Sequence, residues 1–367
     1  MRTRTAVTVV LVATLLLPAA AAPVAAAESG ASDCAFPVEL TDASGETLRL
    51  EERPERVTTT NPSAAQTMWE IGGRSQVVGV TRYASYLEGA DERTPVSSEF
   101  GVSIEEVAGT EPDLVLVPNS TDTEQLAGMR DAGLPVFHLP RAHSIEDVAA
   151  KTTTIGRLTG NCEGAAETNA WMNESVETAR VSVDDDDERP TILYPLGSGY
   201  VAAGDTFIDE MLTTAGARNV AAENHTGYPQ LSAEVVLEMD PEYILITDRD
   251  SDIHAEEPYA STTAGRENNT IYVPVQWVNQ PAPRSVVYTV ENVSEQLRAD
   301  SAPSSGSTVE ATPDGTTSDT ATEGGTSAPA TEEGTSDPTT DDTPGFGIAI
   351  AAVAIVATAL FSRRLDR

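Results

Sequence analysis

The chain has 367 residues, enough for about two domains with appendages. Its formal net charge of −36 excludes the basic footprint that nucleic-acid binding needs, so no nucleic-acid partner is expected. Lys151 is the one lysine among 22 basic residues, and an acidic, lysine-poor surface suits a halophile, where molar salt shortens the Debye length to about 3 Å and quenches self-repulsion; an ordinary acidic protein is the alternative.

Residues 1–27 have an arginine-bearing start, an apolar run and an Ala25-x-Ala27 ending, the pattern of a secretory signal peptide. Cys34 and Cys162 are the only cysteines. In a secreted chain the even pair favours one disulfide, with two free thiols as the alternative. Five Asn-x-Ser/Thr sequons, starting at Asn119, Asn173, Asn224, Asn268 and Asn292, are compatible with surface glycosylation.

Residues 28–143 alternate short apolar runs with helical segments. Strands are predicted at Arg56–Thr60, "QVVGV", "DLVLVP" and "PVFHL", and helices at Ser63–Ile71, Ser103–Ala108 and Thr123–Ala132. This is the writing of a parallel sheet covered on both faces. Residues 144–187 read as a helical linker, with apolar Ile145, Val148 and Ala149 at helical spacing. Its stretch Glu163–Val181 makes a stiff strut of roughly 28 Å at 1.5 Å per residue and predicts only a modest hinge motion. The run "DDDDE" at 184–188 ends it, as a solvated loop rather than a calcium site.

The second lobe, 188–298, repeats the order. "TILYP", "NVAA", "YILIT" and "TIYVP" alternate with helices at Asp205–Ala215, Ser232–Glu238, near Glu256–Ala264 and at Arg284–Arg298. The repetition is literal: "VSIEEVAGTEPDLVLVP" from Val102 returns as "LSAEVVLEMDPEYILIT" from Leu231, at a constant offset. The fold class is therefore α/β: two similar lobes, each a parallel sheet flanked by helices, joined by a long rigid helix, with a stalk and an apolar helix at the end. Ser103 and Ser232 each precede a helix as caps, and Ser103-x-x-Glu106 has the form of a capping box. Glu105 and Glu234 then fall at equivalent first-turn positions. They complement the helix dipoles and also form a matched pair of negative points on one face.

In open α/β sheets ligands sit beyond the carboxyl ends of the strands. Tyr83, Tyr86, Phe100, Tyr200, Tyr228 and Trp277 stand in connecting segments there, a ligand wall in a chain with only 5% aromatics. Rigid aromatics bury apolar area at little entropic cost, which suits a bulky, polar-edged solute. Arg82 and Arg141 are the candidates for pairing an anionic solute. The four histidines, His138, His143, His225 and His254, read as structural or exposed, so neither a metal site nor a resident cofactor is expected. Hydrolase elbow, Walker, zincin and dinucleotide motifs are missing; "GSG" at 197–199 is too short to count, and a surface α/β hydrolase is the distant alternative.

Residues 299–343 are built of Ser, Thr, Pro, Gly, Asp and Glu and predict an extended, self-repelling acidic stalk. Residues 344–367 contain Pro344-Gly345-Phe346, an apolar stretch shorter than the roughly 20 residues of a spanning helix, and terminal arginines. That order resembles the PGF-CTERM sorting signal of archaeal surface proteins. The resemblance implies removal of the helix and attachment to membrane lipid, with an uncleaved anchor helix as the alternative. Either way the protein is placed on the outer face of the cell membrane.

The folded part, roughly Pro37–Arg298, resembles the helical-backbone (class III) substrate-binding proteins of ABC importers for cobalamin, ferric siderophores and haem. The resemblance is carried by "ERVTTTNPSAAQTMWEIGGRSQVVGVTRYASYL", the two repeated stretches, "YPQLS" and "VPVQWVNQPAPRSV". The likeness to cobalamin binders adds Tyr83, Tyr200, Tyr228 and Trp277 as ligand contacts. It departs at Phe100 beside Glu99, and at Gln276 and Gln280 where those binders carry charged groups. It implies no enzyme activity, a monomer, a small-molecule ligand (cobalamin, or alternatively a ferric siderophore or haem), and a permease dimer with ATPase subunits docked by Glu105 and Glu234.

Overall fold

The computed structural model describes residues 34–98, 101–181 and 189–301. The expected signal peptide, Phe100, the "DDDDE" run, the sorting motif and nearly all of the stalk lie outside them. The described residues up to Glu295 belong to one compact unit.

The first lobe contains a hairpin of β1 (Val38–Thr41) and β2 (Thr47–Leu50), then β3 (Val57–Thr59), α1 (Pro62–Glu70), β4 (Val77–Val80) and β5 (Thr94–Pro95). A small hairpin, β6 (Ser97–Ser98) and β7 (Gly101–Val102), leads into α2 (Ile104–Gly109), β8 (Leu114–Val117), α3 (Thr123–Asp131) and β9 (Val136–His138). Five of these strands form a parallel sheet in the order β5-β4-β3-β8-β9. Central β8 shows why its run "LVLV" is apolar throughout. Leu114 and Leu116 pack with Ala64, Met68, Ile155 and Leu158, while Val115 and Val117 face Val107, Leu126 and Met129. Both faces are covered, so both sets of alternating residues are hydrophobic.

Next come α4 (Ile145–Thr159) and α5 (Cys162–Val181). The linker is thus two helices turned by Gly160 at φ 69°, and the stretch expected as the strut is α5, a single helix. Gly164 allows the close approach of α5 to the first lobe, since a Cβ there would sit 2.2 Å from the Ile71 carbonyl oxygen. A disulfide joins Cys34 to Cys162 at the start of α5.

The second lobe follows with β10 (Thr191–Leu193), a hairpin of β11 (Pro195–Gly197) and β12 (Tyr200–Val201), α6 (Phe207–Thr214), β13 (Arg218–Asn219), α7 (Ala233–Met239), β14 (Tyr243–Ile246), α8 (Thr263–Glu267), β15 (Thr270–Tyr272), α9 (Val275–Val278) and α10 (Pro283–Ser301). Its parallel sheet runs β13-β10-β14-β15. Matching β10 to β3, β13 to β4, β14 to β8 and β15 to β9 gives both lobes one strand order. The repeated stretches occupy equivalent places, α2 with β8 and α7 with β14.

Several expectations need correction. "NVAA" is a strand only at Asn219; Val220–Glu223 is a 3-10 turn, because the Asn219 side chain accepts from the Ala221 amide and caps it. The helix expected near Glu256–Ala264 is a 3-10 turn at Tyr259–Ser261 followed by α8. α10 continues to Ser301, so the first residues assigned to the stalk are helical. The Ser103 capping box is half made: its side chain accepts from Glu106 N at 3.2 Å, but its own amide is taken by the Val96 carbonyl at 2.9 Å. The complete box is at Ser144, whose partner Asp147 also accepts from the His143 amide at 2.8 Å. No helix among the described residues is long and apolar enough to cross a membrane.

The β1–β2 turn is held on the sheet edge by Asp42. Its carboxylate accepts from Ser44 N and Oγ, Glu46 N, His138 N and Arg130 Nη2. Burial raises its pKa, but these hydrogen bonds and the Arg130 charge outweigh burial and hold it below the usual carboxylate range. A depressed folded pKa contributes stability above the unfolded value that is lost as pH falls through the folded one. Asp42→Asn is expected to lower stability by about 1–3 kcal/mol at neutral pH and to flatten the acid limb of a stability–pH curve. Parallel acid limbs for the two proteins, measured by thermal melts, would count against this role.

Candidate functional site

The two lobes meet along one face of α1. Ser63, Gln66 and Glu70 lie at i, i+3 and i+7 and so share that face. Ser63 Oγ donates to the Pro281 carbonyl at 2.9 Å. Gln66 Oε1 accepts from Ser285 N at 3.1 Å, and Glu70 forms a two-point ion pair with Arg284 at 2.6 and 2.9 Å. Ser63, Gln66 and Ser285 are essentially fully buried, so this polar seam is part of the interior, with its groups satisfied. The linker is tied to the second lobe too: Glu210 of α6 accepts from Ile145 N at 2.7 Å at the start of α4 and pairs with Arg180 of α5 at 3.3 Å. Three seam contacts and two bracing helices suit small lobe movements.

At the rim of this seam the structure brings together two of the expected aromatics. Tyr86, from the first lobe, meets Trp277, from the second, edge to face with centroids 5.4 Å apart. Trp277 is in turn stacked on Tyr288 of α10 at 4.9 Å and 25°. The Gln66 amide donates to the Tyr86 hydroxyl at 2.9 Å, and burial pushes that phenol's pKa up to about 12, so it stays neutral.

The other rings stand apart. Tyr83 is half exposed in the 3-10 turn Arg82–Ala84 after β4, under the Arg82 guanidinium, 5.1 Å from its centroid. Tyr200 is exposed on β12, beyond a turn in which Ser198 and Gly199 both have positive φ, at 52° and 79°. That turn is what "GSG" makes. Segment 227–231 lies alongside the same hairpin, through Ala203 N to Gly227 O, Val201 N to Pro229 O and Leu231 N to Gly199 O. Tyr228 is thereby set on the segment beside Tyr200, which bridges Gln230. The Tyr228 hydroxyl is pushed up by its covered part and drawn back by the Arg141 guanidinium of the first lobe. Arg82 commits one donor to the Ser98 carbonyl and one to the Tyr83 hydroxyl, which weakens its candidacy for an anionic ligand.

Sequence reasoning missed Tyr288, Gln66 and Tyr194, whose buried hydroxyl donates to Asn279 Oδ1 at 3.0 Å and holds the Trp277 segment on the second lobe. Tyr288 carried one usable signal, an aromatic near the start of a helix directly after the Trp277 stretch. A separate polar hollow of about 1000 Å³ opens at the other ends of the second lobe's strands, between Arg189, Arg218, Glu223, Glu238, Asp240 and Glu242. Arg218 pairs there with Glu223, and Glu242 accepts from Thr191. Among the described residues no cluster of His, Cys, Asp and Glu could hold a metal ion.

Two like lobes, a bracing helix pair and an aromatic contact between the lobes are the arrangement expected of a solute-binding protein of the helical-backbone kind. The chain belongs to the periplasmic binding protein family, whose model matches residues 57–276. It is 42% identical over 302 residues to a cobalamin-binding protein of Halobacterium salinarum, covering 78% of this chain and 82% of that one. Among solved structures it is similar in fold to the periplasmic vitamin B12 binding protein BtuF of Vibrio cholerae (TM-score 0.56, 22% identity, 68% of this chain and 98% of that one). It is likewise similar to the molybdate binding protein MolA of a Haemophilus influenzae ABC transporter (TM-score 0.60, 18% identity, 72% and 92%).

Proposed function

We propose that the chain captures cobalamin, or a related corrinoid, outside the cell and delivers it to an ABC permease. The observation that carries this reading is the 42% identity, over most of both chains, to a cobalamin-binding protein. The aromatic jaw Tyr86–Trp277–Tyr288 fits it chemically, with flat rings for an apolar macrocycle face, and Arg141 beside Tyr228 offers a partner for its polar edges. Tyr83, Tyr200 and Tyr228 extend the wall. The action is capture without chemistry: the solute enters between the lobes, and the loaded protein docks as a monomer through Glu105 and Glu234. Both glutamates are exposed in the first turns of α2 and α7. Lipid attachment through the Pro344-Gly345-Phe346 segment keeps it at the outer membrane face.

Titrating the purified chain in molar salt with cyanocobalamin, a ferric hydroxamate and haem tests the reading. Saturable quenching of tryptophan fluorescence is expected with cyanocobalamin at the lowest concentration of the three. Response only to an iron ligand would overturn the corrinoid assignment while leaving the family intact.

A further inference from the structure

Lys151 is the only lysine of the chain, and every other basic residue apart from histidine is arginine. It is only 4% exposed, on the face of α4 that packs beneath α1. Its Nζ donates to Ser63 Oγ at 3.0 Å and to the Pro281 carbonyl, the same carbonyl that accepts from Ser63. Three segments far apart in the chain thus close around one oxygen atom. That oxygen lies at the end of the stretch Pro274–Ala282, which carries Trp277. The Tyr194–Asn279 bond fastens the same stretch to the second lobe. One step on, Ser285 meets Gln66, which also holds Tyr86.

No carboxylate is paired with this amine among the described residues. Asp147, one turn earlier on α4, caps the helix and acts only at a distance; across the seam, Glu70 of α1 and Arg284 of α10 are paired with each other. Burial pushes the amine's pKa down to about 7. A neutral amine still has two N–H donors and keeps both contacts, whereas a guanidinium cannot shed its charge. The one position written as lysine is therefore one where the buried base can shed its charge and keep its donors. A well-packed apolar side chain would serve core stability at least as well. The donors make sense as geometry.

We propose that Lys151 is a positioning residue for ligand capture: by clamping the Pro281 carbonyl against Ser63 it sets the Trp277 segment over Tyr86, so that the aromatic jaw is formed before the solute arrives. The proposal rests on the reading of that jaw as the ligand site. A preformed jaw avoids the cost of ordering side chains on binding.

The test is Lys151→Met in the full chain. The substitution leaves the Ser63–Pro281 bond in place, so the carbonyl is not orphaned. The variant is expected to melt no lower than the parent, to lose part of the near-ultraviolet dichroism of the Trp277–Tyr288 stack without ligand, and to bind cyanocobalamin about tenfold more weakly. Ser63→Ala, which removes one side of the clamp, is expected to weaken binding about threefold. Lys151→Met with unchanged dichroism and affinity overturns the proposal. Trp277→Ala separates the two readings. Normal binding by Trp277→Ala sinks the jaw as the site, whereas impaired Trp277→Ala beside normal Lys151→Met sinks only the positioning role. Should Lys151→Met not fold, wild-type protein made with carbon-13 lysine gives one lysine side chain to follow by NMR. Its resonances are expected to differ between the wild type and Trp277→Ala without ligand if clamp and jaw are coupled, and identical signals overturn the coupling.

Discussion

Trp277→Ala is expected to lower cyanocobalamin affinity about 100-fold, as read by isothermal titration in molar salt. Trp277 is the one ring in contact with both others, edge to face with Tyr86 and stacked on Tyr288. Removing it takes away the largest flat surface of the jaw and the aromatic contact between the lobes. Central aromatic anchors of this kind cost about 2–4 kcal/mol on truncation, which is where the 100-fold figure comes from. Because Trp277 is partly exposed on the short helix α9, the fold should survive its loss. Tyr86→Phe is the milder companion. It keeps the ring against Trp277 and deletes only the hydroxyl that accepts from Gln66, so less than a tenfold loss is expected. An unchanged dissociation constant for Trp277→Ala would remove the jaw from the binding site.

The double reversal Glu105→Arg/Glu234→Arg is expected to abolish uptake by cells while leaving solute affinity within about twofold. Both carboxylates are exposed, neither enters an ion pair among the described residues, and their helices α2 and α7 carry none of the jaw's rings. Their local role, facing a helix N-terminus, is worth about 0.3–1 kcal/mol each, so reversal should shift melting by only a few degrees. What reversal changes qualitatively is the sign of the two matched points offered to a permease dimer. Wild-type uptake by the double variant would end the docking role; loss of both uptake and binding would show that the substitutions act on the solute site instead.

The elements that could be read in the sequence are those whose cause is local. "LVLV" and "YILI" are strands buried on two faces, and their uninterrupted apolar character says so before any partner is known. Ser103 and Ser232 cap their helices through amides three residues on, a distance any reader of the chain can count. The short hairpins β6–β7 and β11–β12 were not legible, because strands of two or three residues carry no period. Nor was the half-made cap at Ser103, whose amide is claimed by a carbonyl seven residues earlier across a turn.

By itself, then, the chain's pattern of apolar runs, caps and one repeated stretch determined two like α/β lobes, the helical linker and the loops on which aromatics stand. Only the tertiary structure decided what joins the lobes. Ser63, Gln66 and Glu70 look like the solvated side of an ordinary helix, and Lys151 like a stray surface base; all four are covered wholly or mostly by segments up to 219 residues away. Periodicity records which face of an element is apolar. A polar face buried by a distant polar partner leaves no such mark, because hydrogen bonds across the seam satisfy it as water would have done.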